Sequence, residues 1–590
     1  MFLLSFTTIL ISGTMKDVKL LARDAMGRIL KVKTKSGVLL TPTFFPVINP
    51  NKLIITPKEI IEKFKWNEII TNAYIIWRSK FKDEAMEKGL HKFYDFNGII
   101  FTDSGAYQIW QYGDVEITNE ETVKFQEAIG ADIGTFLDIP MPHTIPIGEA
   151  RRGVKLTIER AKEGEALTEE SKTLWLATVQ GSVYTNLVRK CAKAIASLDF
   201  DYYGCGTLKI ATDEWRFREQ IDYVMTAKKY LPISKPLHFW GLGHPATFAL
   251  FVSLGLDSFD SASYVLYAED ERYMTVEGTL RLDEIEDFPC SCEVCSSYTP
   301  REIKDMRREE KTKLLATHNL WVILTEMKRI REAIRNGWLL ELVQQRVRAH
   351  PKLYEALIYA WRKYGNFIEE FDPVTKKSAF FYSGPESYYR PEVIRAKRWL
   401  KRVKAKRYFK KEPFGKIPIG LKYVYPLGQS IVLGKDEIKE EPTDEEQVLQ
   451  TIDFLFGTEA SRFFKKISVK RSRATGMIRK VFSQGKFVGA IRSNDGFFIP
   501  NINGAELIKK ACSYPKNRVV ISKDAVEFVS RGKSVFTKFV VDIDKELRPQ
   551  QEVLVVDESD NLLATGKLIL SPREIKEFKR HVAVKVRHHW

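Results

Sequence analysis

The sequence predicts an α/β protein whose largest domain is a (β/α)₈ TIM barrel. Between about residues 40 and 265, eight short apolar runs alternate with segments long enough for helices. Six of these runs end in a carboxylate, an amide or glycines, as expected where an active site lies at the strand ends of a barrel. The alternative is an open doubly wound sheet, which would favour a Gly-rich phosphate turn after the first strand. The segment TPTFFPVINPNK contains no such turn.

Each predicted strand is a short apolar run, and helical segments such as ERAKEGEAL and NLVRKCAKAIA separate the strands. In chain order the strands are predicted at 41–47, 68–74, 98–103, 133–138, 173–180, 200–206, 236–243 and 256–262.

Beyond the barrel, helices are predicted to about residue 370, and the charged stretch 433–447 indicates a domain boundary. A compact α/β segment and a strand-rich tail follow. Met15 precedes the first plausible strand, so residues 1–14 are interpreted as a misassigned start or a disordered tail. The predicted domains are a barrel with a zinc site at 15–368, a basic connecting domain at 369–440, a small α/β domain at 441–513 and a β-rich domain at 514–590.

Composition points to a protein that works on a polyanion. The chain of 590 residues has 44% hydrophobic and 29% charged residues, a net charge of +17 and a pI near 9.3. The alternative is the Lys-rich surface of a heat-adapted protein. Six cysteines are too few for a disulfide scaffold and favour the cytoplasm. The apolar stretch from Phe2 to Ile11 is too short to span a membrane.

The predicted barrel mouth carries groups that can recognise a heterocycle. Asp103, Asp138 and Asp260 end strands three, four and eight, and Gln180 ends strand five. Carboxylates accept from ring N–H and amino groups, an amide does both, and glycine backbone N–H groups can meet a carbonyl. Taken singly, each residue has another explanation as a helix cap or a turn. The exposed glycine backbone is predicted at Gly204, Cys205 and Gly206 on strand six and at Gly241, Leu242 and Gly243 on strand seven.

A second cluster has the composition of a structural zinc site. Cys290, Cys292 and Cys295 form C-x-C-x-x-C, and His318 follows within a predicted helix. Three thiolates and one imidazole fill the four positions of tetrahedral zinc and leave none for a catalytic water. The alternative is three buried cysteines and a surface histidine. One structural zinc ion per chain is therefore predicted.

Two basic stretches predict contacts with RNA. Residues 395–411 carry ten Lys or Arg and no acidic residue, interleaved with Trp399, Tyr408 and Phe409, and 465–473 is also basic. Phosphate neutralisation beside stacking rings suits looped RNA. A solvated helix face is the alternative, although such faces usually alternate in sign. In the first stretch the predicted RNA contacts are Arg395, Lys397, Arg398, Lys401 and Arg402.

These motifs together resemble the archaeal tRNA-guanine transglycosylase family. The segments are DSGAYQ, FLDIPMPH, TVQGS, FDSASYVLYAEDERYMT and the Cys₃His set, in that order. The tail from GKSVF to VAVKVR resembles a PUA RNA-binding module. The resemblance covers nearly the whole chain from Met15. It implies exchange of guanine 15 in the tRNA D loop for 7-cyano-7-deazaguanine (preQ0), the first step towards archaeosine.

The resemblance also implies roles for single residues. Asp260 corresponds to the nucleophile and Asp103 to the general acid/base, in a double displacement through a covalent RNA ester. The implied partners are tRNA, the free 7-cyano-7-deazaguanine and guanine bases, and a second copy of the chain. In the tail, Lys533, Lys538 and Arg587 are implied to grip the acceptor stem. The implied base-binding residues are Asp138, Gln180, Gly204, Cys205, Gly206, Thr207, Tyr107, Ser104 and Trp240.

Two other functions stay open at this point. A queuine-type enzyme would act at the anticodon wobble base, but family members for that site generally lack a PUA module. A non-catalytic tRNA-binding paralogue, or a downstream archaeosine-forming enzyme, would have no physical need for three carboxylates at Asp103, Asp138 and Asp260.

Overall fold

The computed structural model describes residues 18–106, 116–206, 214–432 and 439–590. The predictions made for residues 1–14, Tyr107 and Thr207 lie outside these ranges. No helix of the described part of the chain is both long and apolar enough to cross a membrane.

An N-terminal antiparallel sheet covers the lower end of the barrel, which is the end where the parallel strands begin. It consists of β1 (Val18–Asp24), β2 (Gly27–Lys33) and β3 (Val38–Leu40) in sequential order. Leu30, Val32 and Leu39 are buried against the side chains that fill the barrel interior. This sheet therefore seals the end of the barrel where the strands begin.

Eight parallel strands form a closed barrel, which confirms the predicted fold class and excludes the open sheet. The last strand pairs with the first in parallel register, with Asp260 beside Phe45. Apolar residues alternate between the interior and the outer helices, as a packed barrel requires. The strands are β4 (Thr43–Ile48), β5 (Glu68–Asn72), β6 (Ile99–Asp103), β7 (Ile133–Thr135), β8 (Leu174–Val179), β9 (Tyr202–Cys205), β10 (Leu237–Phe239) and β11 (Ser258–Ser261).

Helices surround the barrel and several begin at a sequence-encoded cap. The Thr56 side chain accepts from Glu59 N while the Glu59 carboxylate accepts from Thr56 N, and Thr118 and Glu121 form the same pair of bonds. The helices are α1 (Pro57–Phe64), α2 (Ala73–Arg78), α3 (Lys82–Lys88), α4 (Leu90–Phe93), α5 (Asn119–Ala128), α6 (Ile147–Leu167), α7 (Thr185–Ala196), α8 (Phe217–Tyr230), α9 (Pro245–Ser253) and α10 (Ser263–Glu269).

A hairpin and five helices follow the barrel and pack into the same core. They end at Glu369, close to Phe371, the last residue of that core. The elements are β12 (Arg272–Met274), β13 (Thr279–Arg281), a 3₁₀ turn (Leu282–Glu284), α11 (Glu293–Ser297), α12 (Pro300–Lys304), α13 (Arg308–Asn336), α14 (Leu339–Val347) and α15 (Pro351–Glu369).

The segment between the barrel and the tail has one shared core. Buried residues from Val374 to Ile508 belong to a single hydrophobic cluster, which also includes Val520 and Leu554 of the tail. The two small predicted domains thus pack as one unit. The elements are β14 (Phe380–Phe381), a 3₁₀ turn (Pro385–Tyr389), α16 (Pro391–Leu400), β15 (Tyr408–Lys411), β16 (Gly415–Pro418), a 3₁₀ turn (Ile419–Leu421), β17 (Ser430–Ile431), α17 (Asp444–Phe456), β18 (Ile467–Arg471), β19 (Ile478–Ser483), β20 (Lys486–Ile491), β21 (Phe498–Pro500) and α18 (Ile502–Ala511).

The tail is a six-stranded mixed sheet with its own core. Its last helix contacts the lower end of the barrel, because Glu577 accepts from the backbone of Ser234 at 3.2 Å and Glu574 pairs with Arg23. The tail therefore docks opposite the barrel mouth. Its elements are β22 (Arg518–Ile521), α19 (Lys523–Ser530), β23 (Val535–Phe536), a 3₁₀ turn (Thr537–Phe539), β24 (Val540–Ile543), β25 (Glu552–Val556), β26 (Leu562–Leu568), α20 (Pro572–Glu577) and β27 (Val582–His589).

Candidate active site

Asp260 is the penultimate residue of β11, and the protein holds one of its carboxylate oxygens. Gly241 N donates to its Oδ1 at 2.9 Å, and His238 Nε2 lies 3.1 Å from the same oxygen. No hydrogen bond between described residues reaches Oδ2. The carboxylate is 13% exposed, so Oδ2 is available at the mouth while Oδ1 fixes its direction. This is the arrangement that an attacking carboxylate needs.

His238 is a site residue that the sequence reasoning missed. Its Nδ1 lies 2.8 Å from Ser258 Oγ, which in turn lies 2.7 Å from Tyr202 OH. The chain His238–Ser258–Tyr202 is fully buried inside the barrel and orients the ring against Asp260. The sequence Leu237-His238-Phe239 could have revealed this residue. Side chains alternate along a strand, so His238 points into the barrel because its two apolar neighbours pack outwards.

Asp103 ends β6 and has a carboxyl group with an unusual proton affinity. Burial, followed by the charges of Asp138 and Asp260, raises its pKa from 3.8 to about 7, although the backbone N–H groups of Ser104 and Gly105 oppose the shift. Asn72, in register on β5, donates to Asp103 Oδ2 at 2.8 Å. A carboxyl group of this pKa can both give and take a proton near neutral pH.

Asp138 and Gln180 form a hydrogen-bonded pair just beyond neighbouring strands. Strand β7 ends at Thr135, so Asp138 lies three residues past it rather than at its end as predicted, and Gln180 directly follows β8. Gln180 Nε2 donates to Asp138 Oδ2 at 2.5 Å, and both side chains are buried. Burial raises the pKa of Asp138 to about 6, while the bond from Gln180 lowers it. A Cβ at Gly206 would fall 2.5 Å from Gln180 Oε1, so glycine there leaves room for the amide.

The predicted base-binding loop on strand six is only partly directed at the mouth. Gly204 faces inwards, where a Cβ would lie 2.8 Å from Trp240 Nε1. The Cys205 side chain packs outwards in the core between barrel and helices, so only its backbone could meet a base. Gly206 N already donates to Val179 O at 3.0 Å and to Tyr223 OH at 2.7 Å.

Trp240 and Ser104 line the same mouth. The Trp240 indole packs against His238 at a centroid distance of 4.4 Å and against Phe101 at 5.4 Å, and donates to Thr178 Oγ1 at 3.2 Å. Ser104 N donates to Thr135 Oγ1 at 3.0 Å, but its buried Oγ has no partner among the described residues. A buried hydroxyl without a partner is costly, and a bound water or ligand would remove that cost.

The predicted metal ligands come together. The ligand atoms of Cys290, Cys292, Cys295 and His318 lie within 4.8 Å of one another. His318 Nε2 lies 2.9 Å from Met274 O, which holds the ring with Nδ1 directed at the thiols, 3.3 Å from Cys295 Sγ. An imidazole anchored at its far nitrogen is typical of metal sites, so these residues can hold a metal ion.

The prediction that Arg395 contacts RNA is wrong. Arg395 is 2% exposed and pairs with Asp372 at 2.9 Å and with Glu369 at 3.6 Å. Trp399, placed beside it as a stacking ring, is also buried at 2%. The basic stretch has no acidic residue of its own, but the fold brings acidic partners from α15 and the following loop to its buried face.

The other predicted RNA-binding residues differ in how available they are. Arg398 is 42% exposed, yet its guanidinium pairs with Glu369 at 2.9 Å. Arg402 is largely enclosed, stacks on Trp399 and donates to Phe454 O at 3.2 Å, so it too is mainly structural. In the remaining set, Lys401, Lys533 and Lys538 are exposed, Lys397 lies over the Tyr388 ring, and Arg587 pairs with the buried Glu552 at 3.1 Å.

A closed parallel barrel with carboxylates at its strand ends, joined to a separate β-rich module, defines a multidomain barrel enzyme. Comparison with known families identifies it further. The profile described as queuine tRNA-ribosyltransferase matches residues 24–352, and a PUA domain profile matches 517–590. Those of the C1 domain of tRNA-guanine transglycosylase dimerisation and of its patch-forming C2 domain match 373–438 and 446–515. The chain belongs to the tRNA-guanine transglycosylase family.

Curated relatives extend over almost the whole chain. It is 48% identical over 571 residues to the tRNA-guanine(15) transglycosylase of Korarchaeum cryptofilum, with 96% of each chain covered. The enzymes of the same name from Pyrococcus abyssi and Methanocaldococcus jannaschii are 46% and 42% identical and cover 96% of this chain, and 97% and 98% of their own lengths are covered. The resemblance seen in the motifs is thereby confirmed, and the protein is a transferase of this family.

Proposed function

We propose that this protein exchanges guanine 15 of tRNA for 7-cyano-7-deazaguanine and so starts archaeosine formation in the cytoplasm. The observation that carries the proposal is the pair of carboxylates at the barrel mouth, Asp260 with an Oδ2 that no described residue bonds and Asp103 with a pKa of about 7. The names of the archaeal relatives support position 15. Radiolabelled guanine exchange into tRNA transcripts tests it, since substitution of nucleotide 15 should stop incorporation and substitution of the wobble base should not.

The proposed first step is attack by Asp260 on the target ribose. Its Oδ2 forms a bond to C1′ as the bond from C1′ to guanine N9 breaks, and the bond electrons leave with guanine, which takes up the proton of the Asp103 carboxyl group. His238 and Gly241 hold the other oxygen and keep the carboxylate aimed at the mouth. The product is a covalent RNA ester of Asp260.

In the proposed second step, the ribose is transferred from Asp260 to the incoming base. Asp103 removes the proton from the ring nitrogen of the incoming base, and that nitrogen forms a bond to C1′ as the ester bond to Asp260 breaks. Retention follows from two inversions. The pKa of about 7 suits this role, because a base titrating near the working pH combines adequate ionisation with adequate proton affinity.

Base recognition is proposed to lie with residues at or just beyond the strand ends. The Asp138–Gln180 pair offers oxygens and an amide to the ring edge, and Trp240 forms an apolar wall. Ser104 is proposed as a further contact, because its buried Oγ has no partner among the described residues. The backbone of Gly204, Cys205 and Gly206 borders the same space. Tyr107 and Thr207 are proposed for stacking and backbone contact on the strength of the family motif alone.

The target nucleotide must leave its stack to reach the mouth, and the tail is proposed as the anchor that offsets this cost. The exposed Lys533 and Lys538 are the proposed phosphate contacts. Replacing both with Ala should weaken tRNA binding and lower the log–log salt slope by roughly 0.7–0.9 per lost contact. Filter binding across a salt series measures both effects. The same substitutions at exposed Lys124 and Lys155 on barrel helices serve as the control, and an unchanged slope in the tail variant would exclude this anchor.

The Cys₃His cluster is proposed to hold one structural zinc ion. When bound, zinc would join the loop of Cys290, Cys292 and Cys295 to helix α13 and contribute to folding. Cys292→Ser should lower both the zinc content and the thermal midpoint, whereas Cys512→Ser, outside the cluster, should leave the zinc content unchanged. Elemental analysis and calorimetry test this. A wild-type protein purified with no bound metal would contradict the assignment.

The chain is proposed to act as a homodimer, supported by the match of residues 373–438 to the C1 domain of transglycosylase dimerisation. The boundaries at 15–368, 369–440, 441–513 and 514–590 remain proposals. Light scattering should give twice the chain mass of 68.1 kDa.

A further inference from the structure

A tryptophan at the rim of the barrel mouth has an unusual conformation and a large exposed surface. Trp215 lies in the connection from β9 to α8, at the end of the barrel where the strands terminate. It is 46% exposed. Its φ is +59°, a region that bulky side chains rarely adopt. Such outliers persist when surrounding structure imposes them, and they concentrate at functional sites.

The surroundings hold the indole as a rigid plate. His350, the residue before α15, stacks beneath it at a centroid distance of 3.7 Å and an angle of 9°. Phe217 packs against its edge at 5.8 Å and 79°. His350 is itself fixed, because Lys352 N donates to its Nδ1 at 3.1 Å. One indole face is thus covered by imidazole, and much of the rest of the ring is exposed.

Contacts between side chains link the Trp215 ring to the loop that follows the proposed base-binding residue Asp138. Glu214, next to Trp215, lies 3.2 Å from the Nε2 of His143. His143 is in the loop after Asp138, and that loop is tied to the other strand end because Ser182 Oγ donates to Pro142 O at 2.7 Å. The buried Nδ1 of His143 has no partner among the described residues. Glu214 and His143 thus join Trp215 to the loop that follows Asp138.

The charges beside the plate are balanced, which limits the kind of ligand. Arg216 pairs with Glu219 at 2.6 Å and with Glu214 at 3.6 Å, and Arg218 pairs with Glu355. Because these cations already have carboxylate partners, the described residues of the rim offer a flat aromatic surface rather than free positive charge. A nucleobase, which has a π-face and no charge, fits such a surface better than a phosphate does.

We propose that Trp215, backed by His350, is a stacking platform for an unpaired base of the RNA substrate next to the flipped nucleotide, with Glu214 and His143 linking it to the loop that follows Asp138. Flipping a base leaves its neighbours with exposed faces, and a stacking ring at the mouth would stabilise that open form. The inference rests on the proposed function for its RNA partner. It adds a residue outside the strand-end carboxylates that favours the opened RNA.

Binding experiments on the full chain test the platform separately from catalysis. In an Asp260→Asn background, Trp215→Ala should weaken binding of tRNA by about tenfold, within the range measured for loss of one stacked base. Trp215→Phe should retain most of the affinity. The log–log salt slope should stay unchanged, because an uncharged ring displaces no counterions. Tyr298→Ala, an exposed ring in the Cys-rich segment, is the matched control and should bind normally.

A fluorescent base reports the stack directly. With 2-aminopurine placed next to the exchanged guanine, wild-type protein should quench the fluorescence and Trp215→Ala should not. Unchanged affinity and quenching in Trp215→Ala would overturn the proposal, as would a smaller salt slope or a shift from dimer to monomer. If the wild-type protein binds and quenches but exchanges no guanine, the proposed function fails while the platform stands.

Discussion

Asp260→Asn is expected to abolish base exchange, with a loss of at least about 10⁴-fold, as found when a covalent nucleophile is removed. The amide is nearly isosteric and can still accept from Gly241, so the mouth should keep its shape. An uncharged amide oxygen is too weak a nucleophile to displace guanine from C1′. The denaturant-stable complex between protein and tRNA should therefore disappear, while tRNA affinity stays close to that of the wild type.

Gel electrophoresis after denaturation, with labelled tRNA, measures the covalent complex, and filter binding measures affinity. Asp270→Asn, an exposed carboxylate just after α10, is the matched control and should exchange normally. If the Asp260→Asn protein still formed the stable complex, another residue would have to be the nucleophile.

Asp103→Asn is expected to lower turnover by about 10²–10⁴-fold, the usual contribution of a general acid or base. The free enzyme should also show a pH dependence set by this group. Its pKa of about 7 means that the carboxyl group loses its ability to accept a proton as the pH falls below 7. In the covalent complex Asp260 is an ester whose charge no longer raises this pKa, so the rate of the second step should decline towards acid at a lower pH than the free enzyme's pKa, and the variant should lose this decline.

The neighbouring carboxylates allow a sharper test of the same group. Asp138 contributes a like charge that raises the pKa of Asp103, so Asp138→Asn should lower that pKa and move the acid limb of the pH profile to lower pH. Reaction of a preformed complex with incoming base across pH 5–9 measures this step alone. If the acid limb of the pH profile did not move, a group other than Asp103 would control the rate of this step.

The thermal stability of the Asp103→Asn variant shows whether its loss of activity reflects misfolding. The Asp103 carboxyl has a pKa of about 7 in the folded protein against 3.8 as a free side chain, so its contribution to stability falls as the pH rises through this interval. An asparagine side chain does not titrate, so the variant does not lose stability in this way as the pH rises. Asp103→Asn should therefore be at least as stable as the wild type at pH 8, and a clear drop in thermal midpoint would indicate that lost activity reflects misfolding.

Several features follow from the amino-acid sequence alone because they depend on local pattern. Apolar runs of strand length, separated by helical segments, are enough to predict a closed eight-stranded barrel. Since parallel strands end on one face, residues such as Asp103 and Asp260 at the ends of runs had to meet at the mouth. The close spacing of Cys290, Cys292 and Cys295 likewise predicted a shared site.

Other features were decided by residues far apart in the chain. The stretch 395–411 has no acidic residue, yet Arg395 is buried because Asp372 and Glu369 lie opposite it, and Glu369 also receives Arg548 of the tail at 3.0 Å. Burial of a charge requires a partner, and sequence does not reveal a partner supplied by another element. The tertiary structure therefore turned part of a predicted RNA surface into a joint between domains.

The same reason explains what was missed at the mouth. His238 and Trp215 have no motif of their own, and their roles arise from Asp260 and His350, which other elements bring to them. The sequence by itself determined the barrel, the carboxylates and the Cys-rich cluster, because strand periodicity and close spacing are local properties. Only the tertiary structure decided which charges are free to meet RNA, because burial and pairing depend on contacts between distant segments.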